Sequence, residues 1–106
     1  MQPQCLGVRG KGSIRKEELF ARYGGEEFVI VLPETALESG ILVAERLRQL
    51  IERHPFQYEG KKYPITISIG VSSTNGETSL TPHDLIRQAD EKLFNAKDTG
   101  RNRVVS

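Results

Sequence analysis

The sequence predicts an α+β domain, and three observations predict it. Two runs rich in β-branched and aromatic residues, 19–23 and 29–33, flank the pair Gly24-Gly25 and read as a hairpin. Apolar residues recur at spacings of three and four from Leu37 to Ile51, and again from Leu85 to Ala96, which is the period of helices packed on one side. Between those helices, residues 62–71 alternate apolar and small polar side chains as a half-buried strand does.

Taken in order, residues 1–12 are glycine-rich, lack periodicity and read as an irregular segment. The hairpin follows. Thr35 and Glu38 then have the spacing of a capping box, Leu37, Ile41, Ala44, Leu47 and Ile51 form one apolar stripe, and Pro55 ends the helix. Tyr58-Glu59-Gly60-Lys61 reads as a turn that pairs a short strand at Phe56–Tyr58 with the long strand after it. Asn75-Gly76 marks a loop. Thr81-Pro82 is an N-cap followed by the favoured first-turn proline. Leu85, Ala89, Leu93 and Ala96 are the expected buried side of this second helix, joined by Ile86 and Phe94. Gly100 is placed to stop it, and Val104-Val105 make a last short strand.

Composition narrows the function classes. A chain of 106 residues is one small domain at most, marginal in the surface it can bury. Its net charge of +1 gives no reason to expect nucleic acid or an anionic membrane as partner. No apolar run approaches the ~18 residues of a membrane span, and no signal-peptide pattern opens the chain. The lone Cys5 cannot form an internal disulfide, which suits a reducing cytoplasm.

Chemistry concentrates in two places. Glu26 and Glu27 stand just past the glycine turn, where adjacent carboxylates are good ligands for a hard cation and the backbone of Gly24 and Gly25 can approach a substrate closely. The same charges would serve a bare hairpin, by keeping an edge strand from pairing with other chains. Lys97 and Arg101, four residues apart at a helix end, could face one polyphosphate together. Cations there also complement the helix dipole without any ligand. His54 and His83 have no partner at zinc-ligand spacing, and Ser68 lacks the context of a nucleophile.

Residues 22–28, Arg-Tyr-Gly-Gly-Glu-Glu-Phe, resemble the signature loop of the GGDEF family, the diguanylate cyclases. Two further stretches resemble it in the same order: Ile67-Ser68-Ile69-Gly70-Val71, and Ala89-Asp90-Glu91-Lys92-Leu93-Phe94-Asn95-Ala96-Lys97 with Gly100-Arg101-Asn102-Arg103-Val104 after it. The resemblance runs from about residue 13 to the end of the chain, so residues 13–106 read as part of a GGDEF domain. It implies a palm-like (ferredoxin-like) nucleotidyl-cyclase sheet with two helices.

The resemblance also implies a chemistry and roles for named residues. Such domains condense two GTP into cyclic di-GMP with Mg²⁺, or Mn²⁺ in its place, for bacterial signalling. Glu26 matches the acid that ligates the metal and helps deprotonate the attacking hydroxyl, and Glu27 matches the second loop acid. Gly24 and Gly25 match the substrate turn, Lys97 and Arg101 the phosphate contacts. Arg15 and Glu18, with Arg46, match an inhibitory site for cyclic di-GMP, with Glu18 where an Asp is expected. Asp90 matches an acid with a structural hydrogen bond.

One part of the pattern is missing. The family's first strand carries a metal-binding Asp at the middle of the sheet, and no Asp precedes Asp84 here. Without that strand, two apolar strand edges are expected to lie unpaired. The chain alone is therefore expected to be inactive. The alternative is a non-catalytic module that pairs with a second copy as a homodimer, or with another protein by strand exchange.

Overall fold

The computed structural model describes residues 5–14, 27–33, 35–74 and 80–106. Among the described residues, six strands and two helices follow one another: β1 (Cys5–Ile14), β2 (Glu27–Pro33), α1 (Leu37–Arg53), β3 (Phe56–Tyr58), β4 (Lys61–Tyr63), β5 (Ile65–Ser73), α2 (Pro82–Asp98) and β6 (Val104–Val105). The main sheet has the order β2-β1-β5-β6, and β3-β4 form a separate ribbon. β1 is antiparallel to both neighbours, whereas β6 is parallel to β5. A parallel pair needs a long crossover, which α2 supplies.

β1 corrects the largest expectation drawn from the sequence. Residues 5–12 belong to a strand rather than an irregular segment, and that strand fills the middle of the sheet. It pairs with β2 from Cys5↔Pro33 to Lys11↔Glu27 and with β5 from Leu6↔Ser73 to Ile14↔Ile65. The two edges expected to lie open are thus paired within the chain, which removes the motive for strand exchange. The glycine-rich composition misled, because Gly7 is there for close packing. A Cβ on Gly7 would stand 2.9 Å from Leu85 Cγ and 2.9 Å from Ser72 Oγ.

The two faces of the sheet are built differently. Along β5, Ile67, Ile69 and Val71 join Val8 and Ala44 in the apolar core under α1, with Leu37, Ile41, Ile51 and Val104 packed against it. By the alternation of a strand, Ser68, Gly70 and Ser72 face the other way, toward α2. There the helix comes very close: a Cβ on Gly70 would lie 2.1 Å from the Ala89 carbonyl oxygen and 2.3 Å from Leu93 N. Ser72 Oγ donates to the Leu85 carbonyl at 2.6 Å, so the small polar residues of the strand pattern dock the helix backbone.

The helices keep most of their expected features. Leu85, Ala89, Leu93 and Ala96 are buried, and the Thr81 side chain and Asp84 form a reciprocal capping box at the α2 N-terminus. Phe94, expected on the buried side, is 68% exposed. α1 begins one residue later than the Thr35 capping reading requires. Its N-cap is Ala36, which makes no side-chain cap bond, so the Thr35–Glu38 box does not form the cap. Leu47 of the expected stripe is only partly covered, 37% exposed. The long strand expected at residues 62–71 divides at Pro64, which separates β4 from β5 and leaves Glu59 and Gly60 to turn the small ribbon at φ of 50° and 77°. Among the described residues, no helix is long and apolar enough to cross a membrane.

Candidate functional site

The last turn of α2 ends in a shaped stop. Thr99 N–H donates to the Asn95 carbonyl at 2.9 Å, Gly100 takes φ 132°, and Arg101 N–H reaches back to the Ala96 carbonyl at 2.8 Å. That long backward bond is the Schellman type, which satisfies carbonyls the helix would otherwise leave open. Glycine suits position 100 because φ 132° is a backbone conformation that residues with a Cβ rarely adopt. The chain then turns back and enters β6, with the Arg103 carbonyl accepting from Ile69 N–H at 2.9 Å.

This stop brings Lys97 and Arg101 to the same cleft, about 310 Å³ in volume and also lined by Phe94 and Asp98. Phe94 supplies an exposed aromatic wall, which explains how a residue on an apolar stripe can remain in water. The carbonyl end of a helix repels anions, and Asp98 adds a negative charge. Two cations against one carboxylate leave the cleft positive, and the Arg101 fork suits the paired oxygens of a phosphate.

Strand register places the remaining candidates. Glu27 of β2, Lys11 of β1 and Ser68 of β5 lie in one row across the sheet. The turn before β6 joins β5 at the next position, through Ile69. The chain therefore enters β2 at the same end of the sheet as the turn that carries Arg101 into β6, with β2 and β6 roughly 14 Å apart by three strand spacings. Gly24, Gly25 and Glu26, like Arg15 and Glu18, lie outside the described residues, and Glu27 is described by its backbone alone. Arg46 is exposed on α1, across the sheet from the cleft.

A divalent cation does not fit the residues that are described. Among them no group of three or more His, Cys, Asp or Glu side chains could hold a metal ion. The β1 residue in register with Glu27 is Lys11, a cation where a second carboxylate would be needed. Lys11 continues a row on the α2 side of β1 that starts with Gly7 against Leu85 and Arg9 against Asp90, the latter pair 3.3 Å apart. Asp90, expected to make a structural bond, makes this ion pair.

Sequence reasoning missed a set of residues behind the cleft. Asn102 N–H donates to Ser68 Oγ at 3.1 Å, and Asn102 Oδ1 accepts from Arg48 at 2.9 Å. Its Nδ2 donates to Glu52, and Arg48 Nε is shared between the two carboxylate oxygens of Glu45 at 3.0 Å each. The Arg48 guanidinium beside Glu45 holds that carboxyl below its ordinary value, against the opposing effect of burial, and Gln49 adds a further bond. One signal for this network was present. Arg48 follows Gly40 and Ala44 at helical spacing, on the face that turns inward.

Comparison with known proteins bears on the whole chain. The family model described as "Diguanylate cyclase, GGDEF domain" matches residues 6–103. The response regulator PleD of Caulobacter vibrioides is 44% identical over 102 residues, covering 94% of this chain and 22% of that protein. Diguanylate cyclase A of Treponema denticola is 43% identical over 94 residues, covering 89% of this chain and 25% of that protein. The chain thus spans a quarter or less of the length of these relatives. Among solved structures, the active GGEEF domain of a diguanylate cyclase from Vibrio cholerae superposes with a TM-score of 0.78 at 26% identity, over 97% of this chain and 82% of that one. The GGDEF domain of DgcB from Caulobacter crescentus, solved with c-di-GMP, gives 0.79 at 20% identity, over 98% and 75%. That last likeness is one of fold, and both structures extend beyond what this chain covers. The palm-like cyclase fold, the ordered motifs and the family match agree: the chain belongs to the GGDEF family of diguanylate cyclases, as a partial GGDEF domain.

Proposed function

We propose that this chain is the phosphate-gripping part of a diguanylate cyclase and does not turn over GTP by itself. The observation that carries the reading is the convergence of Lys97 and Arg101 on one cleft, at the end of the sheet where the chain enters β2. In the reaction, the 3′-hydroxyl of each GTP attacks the α-phosphorus of the other. A new P–O bond forms, the bond to the bridging oxygen breaks, and pyrophosphate leaves. Two such steps give cyclic di-GMP and two pyrophosphates.

The cleft's own contribution is electrostatic. The Lys97 ammonium and the Arg101 guanidinium neutralise the triphosphate and stabilise the charge that grows on the departing pyrophosphate. Phe94 keeps water from one side. Glu26 is the proposed base for the hydroxyl proton, with Glu27 beside it in the sequence. The family generally works with divalent metal ions, and Mg²⁺ or Mn²⁺ is the expected ion. In this chain a cation, Lys11, stands in register with Glu27. A second GGDEF domain, as in a homodimer, must hold the other GTP. The lone Cys5 suits work in the cytoplasm.

The direct test incubates the pure chain with GTP and Mg²⁺ or Mn²⁺ and assays cyclic di-GMP by chromatography. No product is expected, and appreciable turnover would show the chain to be a complete catalyst. Binding is the second arm: Lys97→Ala and Arg101→Ala should each weaken GTP roughly tenfold or more, the range of a charge-assisted contact. GTP affinity indifferent to both substitutions would move the phosphates elsewhere. Cyclic di-GMP binding through Arg15, Glu18 and Arg46 is the proposed regulatory contact. An isothermal titration with no heat of cyclic di-GMP binding would dismiss it.

A further inference from the structure

Arg101 and Asn102 are consecutive non-glycine residues at φ of 62° and 48°. Side chains seldom adopt that conformation unless their surroundings impose it, and such positions collect at functional sites. Backbone contacts account for part of the constraint. Arg101 N–H is held by Ala96 and the Arg103 carbonyl by Ile69, as the helix stop and the β6 register require. Neither contact uses the Asn102 side chain. That side chain is held from a different element altogether: Arg48, 54 positions away in sequence, donates to its oxygen, and Glu52, 50 positions away, accepts from its nitrogen.

Arg48 is poorly placed for a role at the surface. Its side chain is 15% exposed, on the inward face of α1. Glu45 fixes its orientation by hydrogen bonds and Glu52 lies 3.7 Å away, so the guanidinium presents one remaining edge toward Asn102. α1 itself does not line the cleft of Phe94, Lys97, Asp98 and Arg101. The network therefore crosses the edge of the sheet and ends on the residue next to Arg101.

We infer that Arg48 and Asn102 are positioning residues: together they hold Arg101 in its left-handed conformation, and so keep its guanidinium in the cleft. This rests on the reading that the cleft takes phosphate. It adds that the affinity of the cleft is set from α1, on the opposite side of the sheet.

The test is a cycle of variants titrated with inorganic tripolyphosphate. Arg48→Met and Asn102→Gly should each weaken binding about fivefold, the range of a coupled pair. Glycine reaches positive φ freely, so Asn102→Gly removes the amide clamp without adding backbone strain. It also leaves Arg48 paired with Glu45, and carries the test if Arg48→Met fails to fold. In an Arg101→Met background, neither substitution should weaken binding further. An equal loss with and without Arg101 would overturn the inference, because Arg48 and Asn102 would then act elsewhere. If Arg101→Met itself leaves tripolyphosphate affinity unchanged, the phosphate reading of the cleft falls. The positioning role is then decided separately by backbone couplings and carbon shifts of Arg101 in solution. Loss of the positive φ in Asn102→Gly is the expected result, and retention would overturn the inference whatever the ligand does.

Discussion

Helices α1 and α2 are each 17 residues long and each cover one face of the same sheet, yet they meet it by opposite means. α2 docks by closeness. Its backbone lies against Gly70 and Ser72, and four of its side chains are fully buried. α1 sits on large side chains, buries only Gly40 and Ala44 completely, and leaves Leu42, Val43 and Leu50 54%, 59% and 66% exposed. What it lacks in burial it makes up in polar reach, through Arg48 and Glu52 to Asn102. Lys97 rides on the closely packed helix and Arg101 on the turn that stops it, while the hydrogen bonds behind that turn come from the other helix. Position and adjustment are thus divided between two faces.

Core truncation is the most forceful way to break this comparison. Leu93→Ala should cost about 3 kcal/mol, since the side chain is 1% exposed against a sheet face that has little freedom to collapse. Gly70→Ala should cost about 2 kcal/mol by pushing the helix backbone away. Leu50→Ala on α1 should stay within about 0.5 kcal/mol, as an exposed substitution does. Urea unfolding measures all three. Equal losses at Leu93 and Leu50 would mean that α1 is covered in solution and the contrast false.

The next contrast is at the helix starts. Thr81→Ala removes the cap of α2 and should cost about 1 kcal/mol. Ala36 already has extended N-cap backbone, φ −71° and ψ 146°, but no side-chain acceptor. Ala36→Ser should therefore stabilise the chain by about 0.5 kcal/mol, and thermal melting checks both. A neutral Ala36→Ser would show that the α1 start is satisfied by other means.

How far the sequence disclosed this division depends on the kind of signal. α2 was legible almost whole, because capping, proline and four core positions all point the same way. Phe94 escaped since an aromatic at helical spacing reads as core, and only the fold shows that its turn faces a cleft. β1 was illegible for a physical reason: its Gly7 serves the approach of α2, a contact about 80 residues distant that local composition reads as looseness. Lys97 and Arg101 were singled out by spacing and family resemblance, and the fold puts both on one cleft. Arg48 and Asn102 were not, because their meaning lies in a contact across 54 positions. The Thr35–Glu38 spacing fits a cap in the sequence, but the helix starts elsewhere, which spacing alone does not settle.

Acid should expose the smallest difference. Each helix holds one carboxyl below its ordinary value. Hydrogen bonding from Arg48 lowers Glu45 from 4.5, and the Thr81 backbone N–H lowers Asp84 from 3.8. In both cases folding favours the charged form. Their contributions to stability are therefore present above the ordinary carboxylate values and are lost as pH falls through the lowered ones. Unfolding midpoints followed from pH 7 to pH 3 should fall, and Glu45→Gln and Asp84→Asn should each fall less steeply than the parent. The two variants part at the turn. Glu45 orients Arg48 toward Asn102, so acid or Glu45→Gln should disturb the Asn102 amide resonances, whereas Asp84→Asn should leave them in place. Equal disturbance by both variants would show that the turn answers to global stability rather than to α1, and would erase the division between the helices.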